Sequence, residues 1–167
     1  MKKQKGFSLI ELLIVVAIIL IIAAIAIPNL LKSKMAANES SAVGSVRTIN
    51  TGEVTYAAGC PAIGYSATLV ELNTGGTCAA GKGIIDNVLG GADPSTKSGY
   101  TFVYAPGAAV GGVVVSYATT ASPVQIGTTG QRQFCSDQTG VIRYEVSGTG
   151  CTVPAPGTNT GGSTALQ

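Results

Sequence analysis

The sequence predicts an α+β fold. One long N-terminal helix carries an apolar, protruding first half and an amphipathic second half, packed on a small antiparallel β-sheet head. Three observations predict it. In residues 7–27 the only polar side chains are Ser8 and Glu11. Apolar residues then recur at spacings of three and four through Leu31, Met35, Ala42, Val46 and Ile49. After residue 99 the pattern changes to short β-branched or alternating runs cut by turn residues.

The first element is a basic head, Met1 to Gly6, with Lys2, Lys3 and Lys5. Lysines before an apolar run hold that end in the cytoplasm. The apolar run that follows is long enough, at about 30 Å as a helix, to span one hydrocarbon core. Glu11 is out of place there, since a carboxylate at the centre of such a helix costs roughly 2.5–3.5 kcal/mol. A helix that meets copies of itself gives the acid a use, because it needs a cationic partner. A free α-amine on a neighbouring chain would serve. Cleavage after Gly6 would create that amine at Phe7, about one helical turn from Glu11.

Lys5-Gly6-Phe7-Ser8-Leu9-Ile10-Glu11-Leu12 resembles the prepilin cleavage and methylation motif of the type IV pilin family. The close match covers residues 2–31, and beyond it the likeness is architectural. The resemblance implies a cut by prepilin peptidase between Gly6 and Phe7 and N-methylation of Phe7. It further implies polymerisation into a helical homopolymer by inner-membrane assembly machinery. The precursor would sit in the inner membrane and the product in an extracellular pilus. A pseudopilin of a type II secretion system, in a periplasmic pseudopilus, and a minor pilin share the motif and stay open as alternatives. A secretory signal cut near Ala24-Ile25-Ala26 and an uncut membrane anchor fit less well. Neither accounts for Glu11, and the run exceeds the usual signal length.

Composition agrees with export. Charged residues make up 11%, and glycine is abundant at 23 residues. The formal charge of +2 becomes −1 once Lys2, Lys3 and Lys5 are removed, which leaves no electrostatic footprint for nucleic acid. The four cysteines, Cys60, Cys78, Cys135 and Cys151, suggest two disulfides in an oxidising compartment. Of three possible pairings the sequence-local one, Cys60–Cys78 with Cys135–Cys151, is favoured. Each bridge would be worth about 3 kcal/mol in the chain-entropy model.

Pro28 removes a helical hydrogen bond and is expected to kink or loosen the helix. The helix then resumes over 29–57 and ends before Gly59-Cys60-Pro61. Its apolar stripe would seat the head, with Lys32, Lys34, Glu39, Ser40 and Arg47 on the opposite face. Gly44 and Gly52 weaken it by about 1 kcal/mol each. The head spans 58–151. Residues 66–72 and 84–89 suggest short helical turns. Residues 100–104, 112–119, 131–136 and 141–146 read as three or four strands, with Pro106-Gly107 and Asp137-Gln138-Thr139-Gly140 as turns. Residues 152–167, rich in Pro, Gly and Thr, read as a mobile tail.

Catalytic chemistry is not indicated. There is no histidine, hence no His-based triad, and no C-x-x-C pair for zinc. No cofactor is called for. Glu39, Glu53 and Glu71 read as solvated helix-face charges, and Asp86, Asp93 and Asp137 as turn or cap residues. Gly76-Thr77-Cys78-Ala79-Ala80-Gly81-Lys82-Gly83 approaches a phosphate loop, but Gly83 replaces the Ser or Thr that would hold magnesium. The stem has no aromatic residue between Phe7 and Tyr56, so a stacked electron path has nothing to build on. The chain reads as a structural subunit, not an enzyme.

Overall fold

A computed structural model describes residues 7–146, 150–151 and 164–166. The chain divides into two units, Met1–Lys34 and Met35–Gln167. Helix α1, Leu9–Gly59, contributes to both and includes Pro28. It starts where Ser8 presents its carbonyl to the N–H of Leu12 (3.2 Å). It stops at Gly59, where Cys60 closes a last turn onto Tyr56 and Pro61 follows.

In the first unit every described large apolar residue is exposed, from Phe7 to Leu31. Its helical segment has a mean hydropathy of 3.3 and is long and apolar enough to cross a membrane. The second unit has a core. Ala42, Val46, Ile49 and Tyr56 from α1 are fully buried, together with Leu69, Leu72, Leu89, Tyr100, Phe102 and Phe134. The stripe expected on α1 therefore holds from Ala42 onward, while Leu31 is exposed and Met35 half-buried.

Between helix and sheet lie α2, Leu69–Thr74, a 3-10 turn, Ala79–Gly81, and α3, Asn87–Gly90. Both short helices start about three residues later than the sequence suggests. Helix α2 buries Leu69 and Leu72. Asp86 caps α3 by accepting from the N–H groups of Val88 and Leu89. The 3-10 turn occupies the near-phosphate loop, and Gly81 has the Tyr56 ring where a Cβ would stand. Gly52 is likewise a packing glycine, with Ile84 at 3.1 Å and Ile85 at 3.2 Å from the position of an added Cβ.

The strands are β1 (Ser95–Lys97), β2 (Tyr100–Pro106), β3 (Ala109–Val110), β4 (Val113–Val114), β5 (Tyr117–Pro123), β6 (Gln133–Asp137), β7 (Arg143–Glu145) and β8 (Thr164–Ala165). Six form one antiparallel sheet in the order β1-β2-β5-β6-β7-β8. The register sets Phe102 opposite Ala121 and Ala121 opposite Phe134, a buried row across three strands. The alternation on β2 is as expected, with Tyr100, Phe102 and Tyr104 buried.

Three expectations need correction. The sheet has six strands rather than three or four, because β1 and β8 are two- or three-residue edge strands. The valine run at 113–115 is not a central strand. Val113–Val114 pairs with Ala109–Val110 in a separate hairpin turned by Gly111 and Gly112, both at positive φ, and the sheet strand starts only at Tyr117. Residues 164–166 are no loose tail either: β8 pairs with β7, and Leu166 donates to the Ile142 carbonyl. The rest of the expected tail, 152–163 and Gln167, lies outside the described residues.

Candidate functional site

Glu11 lies in the first turn of α1. Its carboxylate accepts from the Ser8 N–H at 3.0 Å. This is the reach-back half of a capping box, which satisfies one of the donors left open at a helix start. The signature, Ser8-Leu9-Ile10-Glu11, is local, and it gives the acid a use within its own chain besides the intermolecular one expected from the sequence. A carboxylate has two oxygens, so the cap leaves capacity for a cation. Phe7 is 81% exposed. Gly6 and the rest of the leader, and with them the expected cut, lie outside the described residues. Glu11 is the one ionisable residue in 7–31, where its neighbours are exposed Leu, Ile and Val.

Two other carboxylates of α1 correct the sequence reading. Glu39 and Glu53 are not solvated; both are buried. Glu39 accepts from the backbone N–H groups of Gln131 (2.9 Å) and Arg132 (3.2 Å), and pairs with the Arg132 guanidinium at 2.7 Å. Burial opposes its charge, but these donors outweigh it and hold the carboxyl below its ordinary range. Arg132 in turn sits over the rings of Phe134 and Tyr144. Glu53 is fully buried and accepts from the Ser66 N–H (3.0 Å) and hydroxyl. Burial pushes its carboxyl up, and the Ser66 donors offset part of that. Glu71 is half-buried, accepting from the Ala67 N–H and the Tyr56 hydroxyl.

Asp93 and Asp137 tie down backbone N–H groups. Asp93 accepts from the Leu69 N–H at 3.2 Å, and Asp137 from the Thr139 N–H at 2.9 Å in the turn. Asn38, the head of a formal glycosylation triplet, donates to the Thr129 carbonyl at 2.9 Å. Among the described residues no group of three metal-ligating side chains converges. Bridges join Cys60 to Cys78 and Cys135 to Cys151, with Cα separations of 6.2 and 5.7 Å. The first fastens the end of α1 to the loop after α2, and the second holds residue 151 on β6.

The family model described as the prokaryotic N-terminal methylation motif matches residues 1–27. The chain is similar to the type IV wide pilus major component of Thermus thermophilus, 60% identical over 40 residues, which is 24% of this chain and 30% of the relative. It is also similar to the type IV major pilin protein of Myxococcus xanthus, 44% identical over 54 residues, 32% of this chain and 24% of the relative. The matched stretch thus spans less than a third of either relative's length. No solved structure matches this chain significantly. The resemblance to the type IV pilin family read from Lys5 to Leu12 holds, and the long helix followed by an antiparallel sheet is consistent with a pilin fold.

Proposed function

We propose that this chain is the structural subunit of a type IV pilus. It is made as a membrane-held precursor, cut between Gly6 and Phe7, methylated on the new amine and polymerised. The observation that carries this reading is Glu11, the single ionisable residue in an exposed apolar helix, one turn from the cut. Residues 7–27 serve first as a membrane anchor and then as filament core. Lipid and neighbouring helices are similarly apolar, so the gain on assembly comes from packing and polar pairing. Glu11 pairs with the Phe7 amine of an adjacent subunit, and the contact sets register. Pro28 gives α1 a weak point at which the stem bends during packing. The two bridges brace the head in an oxidising compartment.

Glu11→Ala is expected to leave precursor in the membrane at normal level and to lower filament yield sharply. Normal piliation in that variant would contradict the assigned role. Gly6→Val is expected to block processing. The mass of the mature N-terminus reads the cut and any methyl group on Phe7 directly. Shear-released surface fibres containing the chain distinguish a pilus from a periplasmic pseudopilus.

A further inference from the structure

We propose that the exposed face of α1 around Arg47 receives the apolar helix of a second copy, and that Arg47 of one copy pairs with Glu11 of the other. This rests on the polymer-subunit reading above and deepens it by naming where the second copy sits.

Over residues 35–59 the outward side of α1, apart from Arg47 and Val54, is built from small residues, among them Ala36, Ser40, Gly44, Thr48, Thr51 and Ala58. Nothing lies within 4 Å of where a Gly44 Cβ would stand. Because Glu39 and Glu53 are buried, Arg47 is the one ionised side chain on this exposed face. Among the described residues its guanidinium has no partner. Three shallow hollows of about 410, 450 and 470 Å³ adjoin it. The surface of residues 7–31 is the complement on both counts. It is bulky, with exposed Leu and Ile, and it carries one charge of the opposite sign, Glu11. Small residues facing large ones let two helices approach closely. Arg47 would enter such a contact unpaired unless it met Glu11, and an unpaired buried charge costs several kcal/mol.

Copies inserted in one membrane with the same orientation pack parallel. Glu11 beside Arg47 then fixes an offset of 36 residues between copies. Residues four and seven further on stay on the same face of a helix, so that register places Val15 beside Thr51 and Ile18 beside Val54. Donor and acceptor surfaces differ, so the contact is head-to-tail and generates an open filament. The two carboxylate oxygens of Glu11 allow it to meet both Arg47 and the Phe7 amine.

The test uses full-length chain in cells that assemble it. Paired substitutions Val15→Cys with Thr51→Cys, and Ile18→Cys with Val54→Cys, are compared with an out-of-register control, Val15→Cys with Ser40→Cys. Sheared filaments are oxidised and run without reductant. The in-register pairs are expected to give at least tenfold more covalent dimers and higher ladders than the control. Filaments that form with equal or no cross-linking in register would overturn the proposal; lipid headgroups or a neighbouring head would then cover the face. In parallel, Arg47→Glu is expected to lower filament yield at least tenfold and Arg47→Gln several-fold, with Arg47→Lys near wild type. Processed subunit should be unchanged in all three. Normal filaments from Arg47→Glu would also overturn it. Wild-type chain that never polymerises would sink the parent reading as well, a failure distinct from filaments that form without the cross-link.

Discussion

Residues 9–34 and residues 35–59 belong to one helix and solve opposite problems. The first stretch exposes Ile14, Ile18 and Ile21, while the second buries Ala42, Val46 and Ile49 completely. The carboxylates divide the same way. Glu11 caps its own helix start, Glu39 pairs with a cation 93 residues away, and Glu53 is buried against Ser66 with no cation bonded to it among the described residues. The lesson is that helical propensity does not decide where a helix gets its stability. One stretch has a core within the chain; the other has apolar surface whose partner must come from outside it.

The largest expected effect tests this division directly. Phe134→Ala should destabilise the second unit by about 3–5 kcal/mol, because it removes a fully buried ring from the row that runs Phe102–Ala121–Phe134 across three strands. Ile18→Ala should leave the same unfolding transition unmoved in detergent. Chemical denaturation followed by tyrosine fluorescence reads both, and a loss from Ile18→Ala would break the comparison.

Next in size, Arg132→Ala should cost about 1–3 kcal/mol by leaving the Glu39 carboxylate buried with only backbone donors. Gly81→Ala should cost a similar amount, about 1–3 kcal/mol, by pressing a methyl into the buried Tyr56 ring. Denaturant midpoints compared with wild type measure each.

The pH dependence separates the two buried acids. The folded Glu53 carboxyl is raised, so the folded state favours its protonated form. Its contribution is fully present below the unfolded value and is lost as pH rises towards the folded one. Glu39 is lowered, so its contribution is present above the unfolded value and is lost as pH falls. Glu53→Gln should therefore remove the loss of stability on the alkaline side of about pH 4.5 and keep the acid-side loss. Urea midpoints at a series of pH values test it; an unchanged profile would mean that Glu53 does not titrate with folding.

The smallest effect sharpens the contrast most. In detergent, Glu11→Ala should cost at most about 1 kcal/mol and fray only the first turn, as loss of a cap does. Circular dichroism of the monomer measures this, against the sharp loss of filaments expected from the same change.

Much of this was legible in the sequence. The helix, the Ala42–Ile49 part of its stripe, the aromatic alternation of β2 and the turn at 137–140 are local periodic signals. The fate of Glu39 and Glu53 was not, because their partners, Arg132 and Ser66, are brought in by the fold. Strands β1 and β8 are too short to leave a pattern. The valines at 113–115 have strand propensity, but Gly111-Gly112 commits two of them to a side hairpin. At the candidate site the signal is local: Ser8 and Glu11 stand three residues apart at the start of the apolar run, the spacing of a capping box.

The bridge at the foot of α1 bears on mechanics. Cys60 directly follows the last helical residue and is bonded to Cys78. A pull travelling down the helix divides there between the main chain and the sulfur link. The sheet begins only at Ser95, past both attachment points. The loop of sequence separation 18 is therefore bypassed and held in reserve. Reduction would release it, adding up to about 60 Å of slack at full extension between helix and sheet.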